Sequence, residues 1–185
     1  TQYTPPYIPA KPDGPSTGDS DGWKDIQDEI ADAEDGDTIT IDMGDETEVP
    51  GEIFEEVAGK DVTVEIELDG GVTWTVNGED IPTGTDFSDL NLGVKMGTSG
   101  ISVDVINTVT GELGSVQITL AHDGEFGFAL TLTAPLGKEN AGYWANLYHY
   151  NEDAQALNYE TSAQIDDKGD VSLPMTHASQ YAIVI

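Results

Sequence analysis

The apolar positions of this chain follow two regimes. Between residues 20 and 82 their spacing switches between helical steps and steps of two. After residue 87 it stays close to two. Trp23, Ile26, Ile30 and Ala33 recur at steps of three and four, which predicts one face of a helix, with Ser20 or Asp21 as its cap and Gly36 as its stop. Ile39, Ile41 and Met43 alternate with Thr38, Thr40 and Asp42 as a strand does. Pro50 is placed to open a second, short helix with Ile53, Phe54 and Val57 on its buried face and Gly59 at its end. Val62, Val64, Ile66 and Leu68 then share one side of a strand, and Asp69-Gly70-Gly71 turns it into Val72 to Val76. Parity sets the register of that hairpin. A three-residue loop pairs Leu68 with Val72, Ile66 with Trp74 and Val64 with Val76, whereas a two-residue loop would set apolar against polar side chains. Strand, helix, strand implies a right-handed parallel crossover. Residues 20–82 are therefore expected to form an α/β subdomain, a three-stranded sheet with two helices on one face. Its other face, with Thr63, Glu65, Glu67, Thr73 and Thr75, is polar.

The stretch Ile81 to Phe87 reads as a boundary. Beyond it, Leu90, Leu92 and Val94 alternate, as do Ile101, Val103 and Val105, then Val116, Ile118 and Leu120, then Phe126, Phe128, Leu130 and Leu132. The stretch 143–150 follows, then Leu157 with Tyr159, Val171 with Leu173, and Tyr181, Ile183 and Ile185. Thr110-Gly111, Asp123-Gly124 and Lys168-Gly169 supply turns. About eight short strands and no helix predict an antiparallel β-sandwich over residues 83–185. The fold class expected is α+β. Residues 1–19 hold most of the prolines, with Gly, Ser and Thr, and read as a linker. The chain thus reads as a monomeric module excised from a larger multimodular protein.

Charge removes several partners. Against 36 acids stand 6 Lys and Arg, a net charge of -30, which opposes nucleic acid and anionic lipid. No apolar run approaches the ~20 residues that span a bilayer, so no membrane insertion is expected. The absence of cysteine excludes disulfides and thiolate sites. His122, His149 and His177 lie far apart in sequence and lack metal-pair spacing, so each is assigned a structural role and no metal ligands are predicted. No EF-hand loop occurs and no cofactor is predicted, although the acids are compatible with a surface calcium between sandwich loops. Gly97-Thr98-Ser99-Gly100 falls one residue short of a nucleophile elbow and reads as a turn. Among so many acids a glycosidase-like carboxylate pair has no specificity, and no catalytic residue is assigned.

The aromatic residues carry the remaining chemistry. In the strand Ala141 to Tyr150, Ala145 and Leu147 take one face. Trp144, Asn146, Tyr148 and Tyr150 take the other, with Tyr159 and Gln155 on the next strand or its turn. Rings in a row stack on the C–H faces of sugars while amides bond the hydroxyls. The competing reading is that these rings cover a second sheet. Trp23 and Trp74 sit among apolar positions and are assigned to the core.

Several segments resemble a known kind of module. These are Trp23-Lys-Asp-Ile-Gln-Asp-Glu-Ile, Asp35-Gly-Asp-Thr-Ile-Thr-Ile-Asp-Met, Val49-Pro50 and Val72-Thr-Trp-Thr-Val-Asn-Gly-Glu-Asp-Ile81 in the first half. In the second half they are Leu120-Ala-His-Asp-Gly-Glu-Phe-Gly-Phe, Gly137-Lys-Glu-Asn-Ala-Gly-Tyr-Trp-Ala-Asn-Leu-Tyr-His-Tyr-Asn and Thr176-His-Ala-Ser-Gln-Tyr-Ala-Ile-Val-Ile. Together they resemble a repeated module of extracellular proteins from ruminococci and related gut Firmicutes. Such modules accompany dockerins and glycoside hydrolases on cellulosome-type or adhesion proteins. The resemblance implies a secreted, non-catalytic module at the cell surface or on a cellulosome. By association it implies binding of plant cell-wall polysaccharide, a β-glucan such as cellulose or hemicellulose first and starch second. A structural spacer or protein-interaction module of the same scaffolds is the rival. Trp144 departs from the family pattern, where a smaller residue stands, and a ring added to a surface suits binding.

Overall fold

The computed structural model describes residues 20–97, 99–111 and 113–185. The expected linker 1–19 and Thr98 of the expected turn lie outside them, as do the side chains of Ser20 and Asp21, the two expected caps. Helix α1 (Ser20–Asp32) buries Ile26 and Ile30 and lays Trp23 against the same core, as its helical spacing requires, and Ala33, just past its end, packs there too. Strand β1 (Thr38–Asp42) and the short β2 (Glu48–Val49) follow. Pro50, with φ -59°, leads into α2 (Gly51–Val57), which buries Ile53, Phe54 and Val57. Strands β3 (Thr63–Glu67) and β4 (Thr73–Asn77) form an antiparallel hairpin, and β3 runs parallel to β1. The hairpin register follows parity. Val64 faces Val76, Ile66 faces Trp74, and the Leu68 amide donates to the Val72 carbonyl at 2.8 Å. Ile39, Ile41, Val64, Ile66, Val72 and Trp74 are all buried, while Glu65 and Glu67 fall on the alternate, half-exposed face.

The second half is built differently from its expectation. Its elements are β5 (Leu90–Asn91), β6 (Val94–Met96), α3 (Val103–Thr110), β7 (Ser115–Pro135), β8 (Trp144–Asn151), β9 (Ala156–Gln164) and β10 (Asp170–Val184). The β-sandwich expected over 83–185 is not found as a separate unit. Among the described residues, these strands extend the sheet begun by the first half, in the order β1-β3-β4-β7-β10-β8-β9, with β6 also on β7 and β5 paired with β2. The joint is β4 against β7, where Trp74 faces Leu132. One buried core runs through it, from Ile26 and Phe54 to Leu130, Leu147 and Ile183. The result is a mixed α/β structure with a large, mostly antiparallel eight-stranded sheet.

Two local expectations are corrected. Residues 101–105 were expected to form a strand, with no helix after residue 87, yet 103–110 form α3. The Ser102 hydroxyl accepts from the Val105 amide as an N-cap, Asp104 sits in the first turn, and Gly111 closes the helix at φ 59°. The β-branched residues along it imitate a strand in composition. The buried pair is Ile106 and Thr110, a helical step of four. Asp123-Gly124, expected to be a hairpin turn, instead lies inside the single long strand β7. Against β10, β7 gains residues twice: Met175 and His177 face Leu130 and Glu125, and Ala178 and Gln180 face Gly124 and Thr119. The surplus residues bulge and let the strand bend over the core, with Gly124 and Gly127 at positive φ. Phe126 and Phe128 thereby reach Trp74 and Phe54, at ring separations of 5.7 and 5.1 Å.

Candidate functional site

Strands β10, β8 and β9 form the far edge of the sheet, and β9 closes it. In β8, Ala145 and Leu147 are buried, so Trp144, Asn146, Tyr148 and Tyr150 take the outer face. Pairing with β9 sets Gln164 opposite Trp144, Ser162 opposite Asn146, Tyr159 opposite Tyr148 and Leu157 opposite Tyr150. The expected strand face is therefore present. It is uneven in exposure.

Trp144 and Tyr159 are the exposed rings, 58% and 59% accessible. Tyr148 is half-buried and meets Tyr159 edge-on at 5.7 Å. Tyr150 departs from the exposed row expected of it. It packs with Leu157 and Val105 against a small second core made by Ile101, Ile106 and Ala182, because α3 covers that end of the face. Tyr150→Ala is accordingly expected to lower stability by about 1–3 kcal/mol, in keeping with its half-burial, and to leave any ligand affinity unchanged. Urea unfolding beside a binding assay checks both. Gln155 is exposed at φ 48° in the turn joining β8 to β9, at the opposite end of the hairpin from Trp144.

Between the exposed rings runs a polar ladder. Asn146 donates from Nδ2 to the Val184 carbonyl at 3.2 Å and accepts from the Ser162 hydroxyl at 2.6 Å. The same hydroxyl shares a hydrogen bond of 2.9 Å with Tyr159 Oη. Gln164 donates to the Gly142 carbonyl at 2.9 Å. Asn146 thus fixes the Tyr159 ring through Ser162 and keeps one N–H for other use. Ser162 was not foreseen, since it reaches Asn146 only through strand pairing. Tyr143, 62% accessible, is a further exposed ring beside Trp144 in sequence.

On the opposite side of these strands the histidines were separated only in sequence. His149 and His177 meet edge to face at 4.9 Å, and both contact Tyr181. Burial pushes the His149 pKa down, the His177 ring acts the same way, and Glu160 pulls it up. Burial, with the Glu160 charge, raises the Tyr181 hydroxyl far above its ordinary value. His122 stands apart, stacked on Phe126 at 5.4 Å.

Of the acids, Asp69 shares a hydrogen bond with Asp45. That bond first, then burial and the charges of Asp45 and Asp42, hold its carboxyl above the usual range. This group lies beside β1 and β3, not among the second-half loops to which a surface calcium, if bound, was assigned. A cavity of about 530 Å³ is lined by Thr47, Asn91, Lys95 and Ala121 among others, without an aromatic ring.

Compared with family models, curated proteins and solved structures, the chain matches none of them.

Proposed function

We propose that this chain is a non-catalytic carbohydrate-binding module. Its ligand is a plant β-glucan, and its setting is a secreted bacterial system that degrades plant polysaccharide. The observation that carries the reading is the open outer face of β8 and β9, where Trp144 and Tyr159 stand exposed on either side of a hydrogen-bonded polar ladder. Large rings left in water cost solvation unless something covers them. Trp144 and Tyr148 are four residues apart on one strand, about 13 Å, so Trp144 and the Tyr148–Tyr159 pair would meet separate sugars of one chain. The extracellular setting rests on the resemblance to ruminococcal modules, and starch is the second ligand under the same geometry.

The charge supports a neutral ligand. At a net charge of -30, an acidic polysaccharide would be repelled. Affinity electrophoresis of the whole chain through gels containing soluble β-glucans, xylan, starch or polygalacturonate tests the reading. Retardation by a β-glucan and none by polygalacturonate is expected. Free migration in every gel would favour a spacer or a protein-interaction module instead.

A further inference from the structure

The inner side of the same three strands gathers a second set of groups. His177 comes from β10, His149 from β8 and Glu160 from β9. One ring nitrogen of each histidine and a carboxylate oxygen of Glu160 lie within 4.8 Å of one another. We propose that His149, His177 and Glu160 form a binding site for a divalent transition-metal ion of the zinc class, one that clamps the edge strand β9 to β8 and β10.

Irregular pairing in the strands builds the cluster. Leu147 faces Thr161 while Tyr148 faces Tyr159, so Glu160 is the extra residue of a bulge. A bulge sends two successive side chains to one side. That frees Glu160 from the outer face, where Tyr159 lies, and brings its carboxylate to the imidazoles. In β10 the pairing with β7 shifts between Met175 and His177, again beside the ligand. The surplus residues of that shift belong to β7, so it adjoins His177, and the bulge that delivers a ligand is the one in β9.

The donors suit a particular class of ion. Two imidazoles and one carboxylate, with no cysteine in the chain, favour zinc and its neighbours over calcium or magnesium, which take oxygen ligands. Ligand atoms around tetrahedral zinc stand about 3.3–3.5 Å apart, given bonds of ~2.0–2.1 Å. A spread of 4.8 Å leaves each pair of donors little more than ~1 Å from that separation.

Orienting groups are already in place. The Ser179 hydroxyl lies 3.0 Å from His149 Nε2, and the Thr176 hydroxyl 3.4 Å from His177 Nδ1. Metal-bound histidines are commonly held by such partners on the other ring nitrogen. Glu160 is exposed and the histidines are half-exposed, so an ion has a way in and water can complete its shell. The acidic surface concentrates cations near it.

The test is titration of chelator-treated chain with Zn2+ by calorimetry, with Co2+ as a spectroscopic probe. The wild-type chain is compared with His149→Gln, His177→Gln and Glu160→Gln. One Zn2+ per chain is expected, weakened at least tenfold in each variant and undisturbed by excess Mg2+ or Ca2+. At a hundredfold excess over Kd, Zn2+ should raise the wild-type Tm by about 5–10 °C and that of Glu160→Gln far less. The exposed Glu160 position guards against a variant that merely fails to fold. Zn2+ binding equally to wild type and Glu160→Gln, or only as weak adsorption shared by all four chains, overturns the site. The metal site and the outer face are read out separately, so either can fail without the other.

Discussion

Gly78→Ala is expected to cost about 3–5 kcal/mol or more, at the severe end of small-to-large changes, and to leave little folded chain at 37 °C. A Cβ at this buried position would fall inside the Val57 carbonyl oxygen and 2.6 Å from the Lys60 carbonyl oxygen. Both are backbone atoms, so no side chain can swing aside. The local hydrogen bonds forbid a backbone retreat as well. The Gly78 amide donates to the Val62 carbonyl at 3.0 Å, and the Gly59 amide donates to the Gly78 carbonyl at 2.8 Å. The first bond ties the end of β4 to the start of β3, and the second ties it to the end of α2. Urea unfolding followed by circular dichroism measures the loss, and a cost below about 1 kcal/mol would mean that the two elements do not approach so closely.

Trp74→Ala should have an effect of similar size for another reason. The ring is fully buried between Ile66 of β3 and Leu132 of β7, edge-on to Phe126, and its Nε1 donates to the Leu92 carbonyl at 2.8 Å. Removing it leaves a cavity worth about 3–5 kcal/mol and a carbonyl without its partner, about 1–3 kcal/mol more. Trp74→Phe keeps most of the volume and should cost only the smaller part. Trp74 belongs to the first half of the chain, but Leu92, Phe126 and Leu132 belong to the second. The loss is therefore expected in one cooperative transition. Two separated transitions, with the second half melting as before, would show instead that the halves fold independently.

The first half was legible because its signals are local. In β3 and β4 apolar parity and a three-residue turn leave a single register that keeps Glu65 and Glu67 off the core. In α1 and α2 the apolar positions recur at steps of three or four, and α2 lies between Pro50 and Gly59 as expected, whereas α1 ends at Asp32, before the expected stop at Gly36. The second half misled where two signals compete. Ile101, Val103 and Val105 alternate like a strand, and the Ser102 cap with burial of Ile106 decides for a helix over 103–110. Asp123-Gly124 has turn chemistry, yet the bend it permits is absorbed inside β7 by bulges against β10. The outer face of β8 followed from alternation, but its exposure did not. Only the packing of α3 on Tyr150 separates a covered end from an open one. His149, Glu160 and His177 left no trace in spacing, because strand pairing and the bulge in β9 bring them together.

The central claim is that Trp144 is a ligand-contacting ring rather than part of a core. Affinity electrophoresis of Trp144→Ala in β-glucan gels, beside a thermal melt of the same protein, tests it most directly. An aromatic contact worth about 0.5–1.5 kcal/mol, added to the area a sugar covers, predicts a loss of affinity near tenfold or more. At a site 58% accessible, the melting temperature should move by no more than about 1–2 °C. Unchanged retardation, or a stability loss of about 3–5 kcal/mol as for a core ring, would contradict the account.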